Sequence, residues 1–83
     1  MTTEELETVL LKRGMRSNAV SFRDGVASAA EQYFITKEGS IWEVYYYERG
    51  NKNDLRSFVD EADACLHLLS ILEKDKTVWD EKG

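Results

Sequence analysis

The stretch that most limits the fold is residues 41–49, IWEVYYYER. It is rich in β-branched and aromatic residues, which suit a pleated, half-buried strand. Side chains alternate across a strand. Trp42, Val44 and Tyr46 therefore share one face, while Glu43, Tyr45, Tyr47 and Arg49 share the other. The first set is the more apolar and is expected to face a core; the second is expected to face outward. A strand of this kind is not stable alone. It needs neighbouring strands and an apolar layer over its inner face.

The neighbours are legible on both sides. Residues 31–37 hold Tyr33, Phe34, Ile35 and Thr36, all β-favouring. Glu38-Gly39 then makes a hairpin turn. After the long strand, Gly50-Asn51-Lys52-Asn53-Asp54 contains no apolar residue and reads as a polar turn. Residues 55–59 follow as a short third strand, at a sheet edge.

Helical patterns bracket these strands. Over residues 2–13, Thr2 with Glu5 forms a capping box and Leu6, Val9 and Leu10 form one stripe. Acids begin this helix and Lys12 and Arg13 end it, as the helix dipole favours. Gly14 supplies a left-handed stop, from which Met15 folds back. Asp60 caps a second helix, with Ala62, Cys65, Leu66, Leu69 and Leu72 as its inner face and Asp63, His67, Ser70 and Lys74 opposite. In residues 16–30, Asp24-Gly25 is a turn signal, and Val20 and Phe22 alternate as one short strand would in an otherwise loop-like stretch. Ala27, Ala29 and Ala30 are weak strand formers. Residues 74–83 are a charged tail anchored by Val78 and Trp79.

The expected architecture is α+β. It is a two-layer sandwich in the order α-β-β-β-α, with an antiparallel three-stranded sheet, a fourth short strand at most, and both helices on one face. Residues 1–83 make one domain, and a chain this short buries only about 60–65% of its unfolded surface. With one cysteine, no internal disulfide forms. The polar, acidic start (Met1-Thr2-Thr3-Glu4-Glu5) is the opposite of a secretory signal, and no apolar run approaches the roughly 18 residues of a membrane span. A cytoplasmic protein is expected.

Charge narrows the function classes. The net charge of −5 disfavours nucleic acid and anionic lipid and favours basic partners. Three strands between two helices is also the order of double-stranded-RNA-binding domains. Those need lysines where the last helix begins, and this chain has Asp60, Glu61 and Asp63. The same balance speaks against a DNA-binding antitoxin.

Catalysis is not expected either. His67, the only histidine, pairs at most with Asp63 on the solvent face of its helix. Cys65 points away from it, so the two make no nucleophile–base couple. One His and one Cys cannot build a zinc site, and neither a calcium loop nor a phosphate-binding loop is present, so no cofactor or metal is implied. Tyrosine and arginine are, by contrast, enriched at binding hot spots. On an outward strand face, Tyr45 and Tyr47 beside Glu43 and Arg49 suit a protein interface as well as plain strand packing.

The run Trp42-Glu43-Val44-Tyr45-Tyr46-Tyr47-Glu48-Arg49-Gly50-Asn51, followed by Asp54-Leu55-Arg56-Ser57-Phe58, then Glu61-Ala62-Asp63-Ala64-Cys65 and Leu68-Leu69, resembles a family of small bacterial immunity proteins. These are encoded beside polymorphic and contact-dependent growth inhibition toxins. The resemblance spans roughly residues 6–72, and its most specific part is Trp-x-Val-Tyr-Tyr-x-Glu-Arg-Gly. Tyr47 stands where members often carry a small residue, which marks it as a candidate specificity position. The resemblance implies a non-enzymatic inhibitor that binds a cognate toxin domain, a nuclease with a basic cleft being the natural target for an acidic chain. The expected contact surface is Glu43, Tyr45, Tyr47, Glu48, Arg49, Asn51, Asn53 and Asp54. The competing expectation is a generic adaptor or complex subunit, including a homodimer paired through the edge strand.

Overall fold

Thr3–Lys12 forms α1 for the reasons its sequence suggests. The Thr2 hydroxyl accepts from the Glu5 N–H, and the Glu5 carboxylate accepts from the Thr2 N–H, closing the capping box. Gly14 ends the helix at φ +98°, a conformation that costs a side-chain-bearing residue more than glycine. Gly14 N–H donates to Leu11 and Met15 N–H to Leu10, the paired bonds of a Schellman stop. Met15 is thereby folded into the core, with Leu6 and Leu10. Val9, expected inside, is 40% exposed.

In this computed structural model, residues 1–16, 19–22 and 31–79 are described. The sheet order is β1-β2-β3-β4, formed by Val20–Ser21, Glu31–Glu38, Ile41–Glu48 and Asn51–Phe58. The architecture is α+β, in the order α-β-β-β-β-α. One expectation needs correcting: β1 pairs in parallel with β2, so the sheet is mixed, not antiparallel throughout. A parallel partner this short follows a return from the end of α1, where Arg16 and Ala19 are joined by a backbone bond. The Asp24-Gly25 turn and Ala27, Ala29 and Ala30 lie outside the described residues.

The β2–β3 hairpin turns through Gly39-Ser40, one residue later than expected, with Glu38 facing Ile41. The next connection differs more. Residues 51–54 are not a turn but the first half of β4, so the third long strand is Asn51–Phe58 and not 55–59. The turn is only Arg49-Gly50, with φ values of +52° and +83°. Two successive positive φ values give the type I′ geometry whose twist matches antiparallel strands, and such a loop has no room for further residues. Glu48 and Asn51 close it as a facing pair.

β4 contains a bulge. Val44 faces Arg56 and Tyr46 faces Asn53, so Asp54 and Leu55 together oppose Tyr45. Asp54 has φ +56°, a left-handed conformation that aspartate tolerates better than most residues. β4 is the sheet edge, as expected for the last strand.

Glu61–Lys74 forms α2. Asp60 occupies its N-cap in extended backbone without a side-chain capping bond. The buried residues are Ala64, Cys65, Leu68 and Leu72. The expected inner face is therefore rotated: Ala62 is exposed and Leu66 is 57% exposed. Cys65 is fully buried, and burial, with the Glu61 charge second, raises its thiol pKa above the ordinary value. Thr3 N–H donates to the Glu61 carboxylate at 2.8 Å, and Arg13 meets Glu73 at 3.6 Å. Start meets start and end meets end, so the two helices run side by side in the same direction. They cover Ile35, Val44 and Val20 from one face of the sheet.

The chain after α2 is tied back as expected. Trp79 Nε1 donates to the Leu72 carbonyl at 3.0 Å, and the Arg13 guanidinium lies 5.2 Å from the indole centroid. Val78 is buried, and its carbonyl accepts from Arg16. Residues 80–83 lie outside the described residues.

The rotation of α2 is directly testable. Leu68→Ala should destabilise the domain by about 2–5 kcal/mol, whereas Leu66→Ala should cost no more than about 0.5 kcal/mol. Urea denaturation of both variants checks this, and equal losses would place Leu66 inside.

Candidate functional site

The eight residues expected to form one surface are divided by the fold. Glu43, Tyr45 and Tyr47 do share the outward face of β3, together with Phe34 and Gln32 of β2 and Lys52 of β4. Tyr45, however, is 8% exposed and is not an open contact residue. Its ring stacks on Phe34 at 5.2 Å with an interplanar angle of 8°. Tyr47 meets the same Phe34 ring edge-on at 5.7 Å. Lys52 Nζ lies 4.8 Å from the Tyr45 centroid and 3.7 Å from the Glu43 carboxylate. The ammonium is held between a ring face and a negative charge, and its stem crosses the tyrosine. Sequence alternation gave the correct face but not this second aromatic cluster.

Glu48, Arg49 and Asn51 stand at the tip of the β3–β4 hairpin. Arg49 and Asn51 are exposed and Glu48 is partly so. Tyr47 runs beside the turn, since a Cβ on Gly50 would lie 4.0 Å from its hydroxyl. The tip is thus a tight two-residue turn backed by packed aromatics. Asn53 is engaged locally, its amide reaching the carbonyls of Tyr46 and Asn51 at 3.5 and 3.4 Å. Asp54 leaves the tip altogether.

Asp54 instead lines a groove between β4 and α2. The groove has a volume of about 310 Å³ and is walled by Tyr33, Tyr45, Tyr46, Asp54, Arg56, His67 and Ile71. It opens past Tyr33, His67 and Ile71 into a wider trough that reaches Ser70, Lys74, Asp75 and Lys76. Tyr33 and Tyr46 meet at 4.7 Å between centroids and form the floor.

His67 was expected on the solvent face with Asp63. It is half-buried instead, its ring 5.2 Å from Phe58. The rotation of α2 accounts for the difference. Burial, and secondarily the Arg56 guanidinium, lower its pKa below the usual imidazole value, so it is neutral at pH 7. Among the described residues no group of three His, Cys, Asp or Glu side chains is placed to hold a metal ion, and no helix is long and apolar enough to cross a membrane.

At the far wall, Tyr33 donates to the Asp75 carboxylate at 2.7 Å. Asp75 also accepts from the Thr77 N–H at 3.0 Å and the Thr77 hydroxyl at 2.6 Å. The Thr77 hydroxyl bond is the main cause that holds Asp75 below the ordinary carboxylate range, with Tyr33 adding to it. Burial first, then the Asp75 bond and charge, push Tyr33 well above the ordinary tyrosine range. This groove was missed because Asp54, Arg56 and His67 converge only through the bulge and the helix rotation, neither of which has a periodic signature. Comparison with protein-family models, with curated proteins and with solved structures gives no match.

The Tyr33–Asp75 bond makes a pH prediction. The depressed Asp75 contributes stability above about pH 4 that is lost as pH falls through its folded value. The raised Tyr33 contributes below about pH 10 and is lost as pH rises beyond it. Tyr33→Phe should therefore cost about 1.5 kcal/mol at pH 7 and progressively less as pH falls below about 4 and through the folded value of Asp75. Urea titrations at descending pH read this, and a difference that stays constant down to acid unfolding would remove the charged bond as the cause.

Proposed function

We propose that this chain is a non-enzymatic immunity protein that binds and neutralises a cognate bacterial toxin domain in the cytoplasm. A nuclease is the toxin class its charge fits best. The observation that carries this reading is the build of the β3–β4 hairpin. A two-residue type I′ turn presents Arg49, flanked by Glu48 and Asn51, and the Phe34–Tyr45–Tyr47 cluster supports it from behind. A tip fixed before binding loses little conformational freedom on contact, which is how a small surface reaches high affinity. The net charge of −5 supports rapid association with a basic cleft. The immunity-family resemblance centres on this same Tyr-Tyr-x-Glu-Arg-Gly segment. Inhibition of this kind needs no cofactor, nucleic acid or membrane.

The competing reading, a subunit or adaptor that self-associates, is favoured by one feature: β4 is an unpaired edge with exposed Leu55 and, just beyond it, exposed Val59. Three things blunt that edge. They are the Asp54–Leu55 bulge and the charges of Lys52 and Arg56, devices that discourage strand-to-strand pairing.

Calorimetric titration against the toxic C-terminal domain encoded beside this gene tests the proposal. Nanomolar binding with loss of toxicity is expected. Arg49→Asp, a residue type that accepts the positive φ, should weaken binding about a hundredfold while leaving the melting temperature unchanged. Tyr47→Ala should weaken it by a similar factor. Tyr45→Ala should lower the melting temperature through lost packing and so does not report on the interface. A folded chain that leaves the toxin active returns the protein to the adaptor reading.

A further inference from the structure

The groove beside α2 carries charge opposite to the rest of the molecule. The chain as a whole is at −5. Along the groove and its trough stand Arg56, Lys74 and Lys76, with neutral His67 between them, against Asp54 and Asp75. Asp75 is already engaged by Tyr33 and by both donors of Thr77. That leaves Asp54 as the one carboxylate in the groove with no such set of donors. Arg56 and Lys74 are exposed and come from opposite walls, β4 and α2. The floor is apolar and aromatic, made by Tyr33, Tyr46 and Ile71. Volumes of about 310 Å³ for the groove and about 510 Å³ for the trough fall within the range of sites that hold ligands.

We propose that this trough is a docking site for an extended acidic peptide segment of a partner protein, with one carboxylate held between Arg56 and His67 and a following one reaching Lys74 and Lys76. Arginine matches a carboxylate with a two-pronged geometry, and lysine serves as a flexible point charge, so the order of the two cations fits a fixed anchor followed by a looser one. The imidazole adds a ring N–H donor at the anchor. Aliphatic portions of the segment lie on Ile71 and the tyrosine rings. A nucleic-acid backbone is disfavoured because Asp54 stands in the groove and the chain as a whole is at −5. The Asp54–Leu55 bulge has a role in this: it interrupts the edge that would otherwise pair with another strand, and it brings Asp54 and Arg56 to face α2.

The groove borders Tyr45 of the cluster behind the hairpin tip but neither Arg49 nor Tyr47, so the site is tested separately from toxin binding through Arg49. Acetyl-tetraglutamate-amide, titrated into the 15N-labelled full chain and followed by amide shifts, tests it. Saturable shifts are expected at Arg56, His67, Ile71 and Lys74. Arg56→Gln and Lys74→Gln, both at exposed side chains, should each weaken binding at least about fivefold, while Arg49→Asp leaves it unchanged. Shifts of equal size at Lys12 and Lys37, an acetyl-tetralysine-amide titration that moves the same residues, or indifference to Arg56→Gln would each overturn the site. Tighter binding of inorganic phosphate at the same residues would overturn the peptide assignment.

Discussion

Ile35 and Val44 lie directly opposite each other on the two central strands, and both are fully withdrawn from water beneath the helices. This contact sets the phase of the sheet. A slip of one residue would turn every side chain to the other face. With Ile35 and Val44 inward, Tyr33, Tyr46, Arg56 and Phe58 also face the helices, while Phe34, Tyr45, Tyr47 and Lys52 face away. The aromatic residues are thereby divided between two surfaces. One set floors the groove beside α2, and the other makes the cluster behind the hairpin tip, from which Tyr45 also borders the groove.

The hairpin and the groove are both consequences of how β4 leaves β3. The Arg49-Gly50 turn starts the strand in tight register, and the bulge at Asp54 and Leu55 then shifts it by one residue. Before the bulge, Lys52 lies over Tyr45 and ties it to Glu43. After it, Arg56 faces α2 near His67. One extra residue in an edge strand thus separates a tight, polar tip from a charged trough. It also weakens the edge as a template for pairing with another chain.

The segment after α2 is fastened by polar contacts as well as by the burial of Val78. Trp79 bonds the last turn of α2, Val78 accepts from Arg16, and Asp75 gathers Tyr33 and Thr77. In so small a domain the buried core is limited, and such ties carry a larger share of stability than they would in a larger one. Asp75 is also the wall of the trough, so the same contacts that fasten the chain end shape the groove.

The local features were legible from sequence because their causes are local. The capping box at Thr2, the glycine stop at Gly14 and the alternation of residues 41–48 each depend on a few neighbouring residues. The start of β4 is not legible locally because Asn51 to Asp54 carry turn-forming residue types, yet cross-strand pairing with Tyr46, Tyr47 and Glu48 holds Asn53, Lys52 and Asn51 extended. The inner face of α2 is ambiguous in the sequence for a related reason. Leucine and alanine occur almost all round that helix, so the stripe through Leu66 and Leu69 and the stripe through Ala64, Leu68 and Leu72 both satisfy a helical period. Only the contact with Ile35 and Val44 selects between them. The sequence by itself determined the elements and the inward face of the central strands, because periodicity and capping act over a few residues. Tertiary structure alone decided the parallel β1, the rotation of α2, the burial of Tyr45 and the convergence of Asp54, Arg56 and His67, because each depends on which distant surface a residue meets.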